Sequence, residues 1–307
     1  MASILVIGSV NMDAVVEVEH FPRPGQTVTG KSVAFYPGGK GANQCVAVKR
    51  FGGDVAMCGM VGKDGNGDTL RRLFVGEGIK DDTIFPSDLP TGMAFIQING
   101  EGENQISVIP SANHAFGMAE LDKVDGMLKA AQMVVLQLEL RLDITEEIIR
   151  RANAYGVKIL LNPAPAARLS PEVLGMVDYL VPNETELAFL AGMPTESDGQ
   201  VEAAAKELLR RGVKAVVATL GSRGAMIANG EGVTLIDGFS AKAVDTVAAG
   251  DSFCGALAVA LTEGKPIKEA VRLANGMGAL TVGVKGAIPS LHTREQVEEF
   301  LRQHTNI

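Results

Sequence analysis

Met133-Val134-Val135-Leu136-Gln137-Leu138 is an almost unbroken apolar run, and Val157-Lys158-Ile159-Leu160-Leu161 is a second one. Between them, Ile144–Ala154 carries its apolar side chains at a helical period. A continuous apolar run of this length suits a strand buried on both faces, and a helix between two such runs makes a βαβ unit. The pattern recurs outward in both directions. Ser3–Val10, Val55–Met60, Tyr179–Val181 and Ala215–Thr219 read as further buried strands, with amphipathic stretches at Asp68–Glu77 and Val201–Arg211. Repeated βαβα alternation predicts an α/β fold with a doubly wound, mostly parallel sheet.

Two regions break the rhythm. Ala14–Glu19 and Val28–Phe35 are short and β-branched, as are Ala94–Ile98 and Gln105–Ile109, which flank the turn-rich Asn99–Asn104. Four short strands without intervening helices predict a small inserted β-sheet, at residues 12–37 and 92–111. The main α/β domain is then 1–11, 38–91 and 112–307. A small sheet over a ligand crevice makes a natural lid, and its open edges invite a homodimer.

The 307 residues carry a net charge of −8, with no basic run. That disfavours a nucleic acid or an anionic membrane as partner. No apolar run approaches the ~20 residues needed to span a bilayer. The chain starts on a strand-like segment with no basic leader, which leads to a cytoplasmic expectation. Cys45, Cys58 and Cys254 are odd in number, widely spaced and set among apolar neighbours, so they read as small core residues. His20, His114, His292 and His304 have no evident partners in the sequence.

In an open parallel sheet, ligands bind beyond the carboxyl ends of the strands. Asn11 and Asp13 follow the first strand, two apart and so on one side of an extended chain. Glu139, Asn162 and Asn183-Glu184-Thr185-Glu186 end the next three, and Leu220-Gly221-Ser222-Arg223-Gly224 ends a fifth. Any one of these is equally a helix cap or a turn. Five at one edge make a site.

Two glycine-rich segments sharpen it. Tyr36-Pro37-Gly38-Gly39-Lys40-Gly41-Ala42-Asn43-Gln44 runs into a helix, Cys45–Arg50, with Lys40 and Asn43 three apart on one face. Asp245-Thr246-Val247-Ala248-Ala249-Gly250-Asp251 runs directly into the apolar helix Phe253–Leu261. Small residues there leave backbone N–H groups uncovered at a helix start, which favours an anion. A carboxylate beside an anion hole is what phosphoryl transfer to an alcohol requires. From spacing alone, Asp251 is equally a capping acid of that helix.

Gly25–Ser32 matches the P-loop pattern literally, but Phe21-Pro22-Arg23-Pro24 precedes it and a β-rich stretch follows, where a P-loop needs a buried strand and then a helix. Asn183-Glu184-Thr185 matches a glycosylation sequon, without the secretory leader that would give it meaning. No glycine fingerprint follows Val10, which argues against a nicotinamide-dependent oxidoreductase.

Taken together, Gly8–Asp13, Pro37–Gln44, Gln137–Glu139, Asn162–Ala166, Asn183–Glu186, Thr219–Gly224 and Asp245–Phe253 resemble the signatures of the ribokinase-like carbohydrate kinases, nearly end to end. The resemblance implies transfer of phosphate from ATP to the 5-hydroxyl of D-ribose, with deoxyribose or another sugar as the alternative. It implies Asp251 as general base and Ala248, Ala249 and Gly250 as the anion hole. Asn11, Asp13, Gly39, Lys40, Asn43 and Glu139 would bind the sugar. Asn183, Thr219, Gly221, Ser222, Gly224, Gly250 and Asn275 would surround the nucleotide. Glu186 would hold Mg²⁺ through water, and Asp245, Val247, Gly286 and Ser290 an activating K⁺. Many family members have Gly where this chain has Ala248. A dead sugar sensor would have lost Asp251 or the hole, and both are present.

Overall fold

The computed structural model describes residues 2–304; the outermost positions of the expected main domain, 1 and 305–307, lie outside the described residues. In chain order the strands are β1 (Ile4–Ile7), β2 (Asn11–Glu17), β3 (Ser32–Gly38), β4 (Val55–Gly62), β5 (Ile84–Ser87), β6 (Gly92–Ile98), β7 (Asn104–Ile109), β8 (Met133–Leu136), β9 (Lys158–Leu161), β10 (Tyr179–Leu180), β11 (Ala215–Thr219), β12 (Gly224–Asn229) and β13 (Gly232–Asp237). Nine of them form one sheet, ordered β13-β12-β11-β10-β9-β8-β1-β4-β5. From β5 to β11 every pairing is parallel, and β12 and β13 close the far edge as an antiparallel meander. The doubly wound α/β expectation holds, with a large mostly parallel sheet and a second small one.

The alternation inside β1 explains its unbroken apolar character. Ile4 and Val6 enter one core cluster with Ala42, Cys45 and Leu257, from the helices Lys40–Arg50 and Ala249–Thr262. Leu5 and Ile7 enter the opposite cluster with Ile148 and Ile149, from the helix Leu142–Tyr155. With helices on both faces, neither side of the strand can be polar. The three cysteines are buried and free, as a core reading requires.

The chain leaves β1 toward β4 and β5 on one side and later fills β8 to β11 on the other. Connections that diverge from β1 open a crevice beyond its carboxyl end, the position where such sheets bind ligands. The second sheet, ordered β3-β2-β6-β7, stands over that end. Its strands begin earlier than the hydrophobic pattern suggested for β2 and later for β3. Asn11 pairs with Gly38 and Gly92, which puts Asn11 and Asp13 inside β2 rather than in a loop after β1. The β6–β7 hairpin turns through Asn99, whose N–H donates to the Glu103 carbonyl at 3.0 Å. Gly25–Lys31 is loop, Ser32 begins β3, and the segment opens no helix, against a P-loop.

Two ion-pair ties link distant segments. Lys285 Nζ lies 3.2 Å from Glu17 Oε1, joining β2 to the turn around Gly286. Arg50, the last residue of the helix Lys40–Arg50, donates from Nη2 to Glu77 Oε1 at 2.6 Å and from Nη1 to the carbonyls of Ile288 and Leu291 at 2.9 and 2.7 Å. Among the described residues no helix is long and apolar enough to cross a membrane.

Candidate active site

Asn11 and Asp13 open β2, two apart and on one side, while Lys40 and Asn43 open the helix Lys40–Arg50. The turn between β3 and that helix passes through Gly39 at φ 90°, where a Cβ would sit 2.7 Å from the Asn11 nitrogen. Only glycine fits there. Asn113 fixes Asn11: its Nδ2 donates to Asn11 Oδ1 at 2.7 Å, and its Oδ1 accepts from Val10 N–H at 2.9 Å. Glu139, just beyond β8, accepts from the Ser9 hydroxyl and, at 3.2 Å, from the Lys40 backbone N–H.

The helix Ala249–Thr262 starts from Ala248, a non-glycine residue at φ 61°. A left-handed alanine stores strain, a condition that concentrates at functional sites. The Ala249 N–H already donates to the Thr246 carbonyl at 3.3 Å, so of the three expected anion-hole donors it is the one engaged within the loop. Asp251, in the first turn, is buried and accepts from two side-chain amides: Asn43 Nδ2 on Oδ2 and Gln44 Nε2 on Oδ1, each at 2.9 Å. The oxygen of the Asn43 amide, Oδ1, is buried and unpartnered.

Charge is concentrated here. Burial, then the neighbouring charges of Glu139 and Asp251, push the Asp13 carboxyl up to about 7, with Lys40 opposing them. Burial alone would lower Lys40, but Asp251 and Glu139 beside it raise it, so the ammonium is held charged. Burial raises Glu186, partly offset by the Asn183 N–H and by Lys40.

The residues expected around the nucleotide are more dispersed. Asn183 and Glu186 form a reciprocal cap on the helix Glu184–Ala191: Asn183 N–H donates to Glu186 Oε2 at 2.9 Å and Glu186 N–H to Asn183 Oδ1 at 2.8 Å. The capping interpretation is therefore realised, and both residues still face the cavity. Thr219 bridges to Asn183 at the end of β11. Gly221 and Ser222 are exposed on the turn that follows, and Gly224 opens β12. Asn275 gives both amide hydrogens to the carbonyls of Ile236 and Asp237, 3.1 Å each, and so braces β13. Asp245 staples two loops, accepting from Val247 N–H at 3.0 Å and Gly286 N–H at 2.9 Å; the Ser290 hydroxyl donates to the Ala287 carbonyl at 2.6 Å.

One cavity of about 810 Å³ collects Asn11, Asp13, Gly39, Lys40, Asn43 and Glu139 with Asp251, Ala248, Gly250, Asn183, Glu186 and Thr219. Gly221, Ser222, Gly224 and Asn275 lie outside its walls. Gly286 borders a second cavity of about 420 Å³, shared with Asp245 and Val247. Ala94, Ile96, Ile106 and Val108 of the small sheet close the larger cavity from above. Sequence reasoning gave no role to Ser9, Gln44, Asn113 or Gln137, all buried polar residues next to the site. For Ser9 and Gln137 the signal was a polar side chain within an otherwise apolar run; Gln44, beside Asn43, and Asn113, between Ser111 and His114, carried none.

The family model for the pfkB family carbohydrate kinases matches residues 1–294. The ribokinase of Haemophilus influenzae is 38% identical over 300 residues, covering 97% of this chain and 98% of the relative. A deoxyribokinase of Salmonella typhimurium is 34% identical over 302 residues, covering 97% and 98%. Among solved structures, Arabidopsis thaliana ribokinase complexed with ribose and ATP superimposes with a TM-score of 0.92 at 33% identity, covering 98% of this chain and 99% of that one. End-to-end likeness in both sequence and fold, over a cavity with a carboxylate at a helix start, leaves one conclusion: the chain belongs to the pfkB family of carbohydrate kinases.

Proposed function

We propose that the chain transfers the γ-phosphoryl group of ATP to the 5-hydroxyl of D-ribose, giving ribose 5-phosphate and ADP. The observation that carries this reading is the convergence of hydroxyl-binding groups on Asp251. Asn11, Asp13, Lys40, Asn43 and Glu139 line the same cavity as that carboxylate. The unpartnered Asn43 Oδ1 is an acceptor that a sugar hydroxyl would satisfy. In the reaction Asp251 takes the hydroxyl proton, the freed oxygen attacks the γ-phosphorus, and ADP departs. The uncovered N–H groups of Ala248 and Gly250 stabilise charge on the transferring oxygens, and Lys40 adds its ammonium nearby.

Glu186 fits a water-mediated hold on Mg²⁺. Its carboxylate faces the cavity, and no group of three or more metal-binding side chains occurs among the described residues. Mg²⁺ bound with ATP would neutralise phosphate charge. Asp245, a carboxylate held between the loops of Val247 and Gly286, is a hard oxygen donor that would suit K⁺. The small sheet acts as a lid, and Val33, Phe35 and Phe95, exposed on its face away from the cavity, support a homodimer formed through it. The free buried thiols support a cytoplasmic setting.

An ADP-release assay across pentoses tests the substrate. Ribose should give the highest kcat/KM; deoxyribose turning over faster would transfer the assignment to the alternative sugar.

A further inference from the structure

Four buried amide and carboxylate groups form a line behind the site. Asn162 Nδ2 donates to the Val181 backbone carbonyl at 2.9 Å. Asn162 Oδ1 accepts from Gln44 Nε2 at 3.2 Å, and the same nitrogen donates to Asp251 Oδ1 at 2.9 Å. On its other side, Gln44 Oε1 accepts from Gln137 Nε2 at 2.6 Å. Gln44 is fully buried and Gln137 and Asn162 nearly so.

The polarity of this line is set from its end. A backbone carbonyl only accepts, so Asn162 must turn its NH₂ to Val181 and its oxygen to Gln44. Gln44 must then offer its NH₂ toward Asn162 and Asp251 and its oxygen toward Gln137. A flipped Gln44 would put oxygen against oxygen at both contacts, which is costly where no water can intervene. Gly8 completes the support: a Cβ there would lie only 1.9 Å from Gln137 Oε1, so any larger residue would displace the outer amide.

We propose that Gln44 is a positioning residue for the reaction, aiming the Asp251 carboxylate at the substrate through an amide line whose direction is fixed by the Val181 carbonyl and locked by Gln137. Gln44 lies outside the cavity wall, so it acts through Asp251 and touches no sugar. This rests on the reading of Asp251 as the base. Asn43 grips the other oxygen, and the two donors together stop the carboxylate from rotating.

Two variants test it, in steady-state kinetics with the full chain, ribose and Mg²⁺–ATP. Gln44→Met keeps the volume and removes the donor. Gln137→Glu leaves every group touching Asp251 in place, but its carboxylate demands a donor from Gln44 and so pulls the amide the wrong way. Both should lose about 10- to 100-fold in kcat while KM for ribose stays within about threefold. Melting curves establish that each variant is folded, and Gln137→Glu carries the test if Gln44→Met is not. Folded variants with wild-type kcat, or with the loss in KM alone, would overturn the proposal. Asp251→Asn with near-wild-type kcat would instead overturn the base assignment. A wild type that prefers another sugar would overturn only the ribose reading, because the same variants are then assayed on that sugar.

Discussion

Replacing Asp13 by Asn should make the unliganded protein more stable and useless. The carboxyl stands among Glu139, Asp251 and Lys40 where burial raises its pKa from 3.8 to about 7. An acid whose folded pKa lies above its unfolded value binds a proton on folding. It therefore costs nothing below pH 3.8, costs progressively more as pH rises, and reaches its full cost above 7. The shift is roughly three units, or about 4 kcal/mol at pH 8, but only about 1.6 kcal/mol at pH 5. Burying the replacement amide takes back about 2 kcal/mol. Asp13→Asn should thus gain about 2 kcal/mol over wild type at pH 8 and roughly nothing at pH 5. With no tryptophan in the chain, urea unfolding is best followed by far-ultraviolet circular dichroism at the two pH values. Calorimetry should show ribose binding lost. A variant no more stable than wild type at pH 8, or one stabilised equally at both, would refute the electrostatic account of this residue.

Other outcomes follow from the same geometry. Asp251→Asn should lower kcat by about a thousandfold while ribose and ATP still bind, measured by ADP release and calorimetry. Ribose hydroxyls donating to Asp13 favour its ionised form, so ribose should bind more tightly at pH 8 than at pH 6, with proton release on binding seen in buffers of different ionisation enthalpy. Glu186→Gln keeps the reciprocal cap and removes the charge, so melting should change by less than about 0.5 kcal/mol while kcat/KM for Mg²⁺–ATP falls about tenfold or more. Burial raises all three thiols, Cys58 to about 12. Ellman's reagent should therefore find almost none in the native protein and all of them in denaturant.

The larger sheet was legible because strands covered on both faces must be apolar throughout, and Ala215–Thr219 was delimited to the residue. Strands with one wet face were not. Gly232–Asp237 alternates only weakly, and Ile84–Ser87 contains a proline, so β13 and β5 went unread; Gly224–Asn229, buried but opening on a glycine turn, went unread as well. β2 starts at Asn11 because Asn113 and Gly92 receive that residue from distant parts of the chain, which no local pattern reveals. The residues lining the cavity from the first two sequence segments and from Asp251 were readable as strand ends and helix starts. Gln44 was not, because 43 and 44 point about 100° apart on a helix. Both nonetheless reach Asp251, from two sides, and that convergence exists only once the helix Ala249–Thr262 is docked.

The eleven-residue helix that presents Lys40, Asn43 and Gln44 at its start ends at Arg50, which grips Glu77 and the turn at Ile288–Leu291. At 1.5 Å per residue its two ends are about 15 Å apart, and a helix of that length moves as a rod. The side chains proposed to bind the sugar are thus moored at the far side of the domain. A mutational scan scored by catalysis should find Arg50 and Glu77 intolerant, as if they belonged to the active site. Drift along this helix axis, rather than loss of any ligand contact, would then explain inactive alleles whose changes touch no substrate.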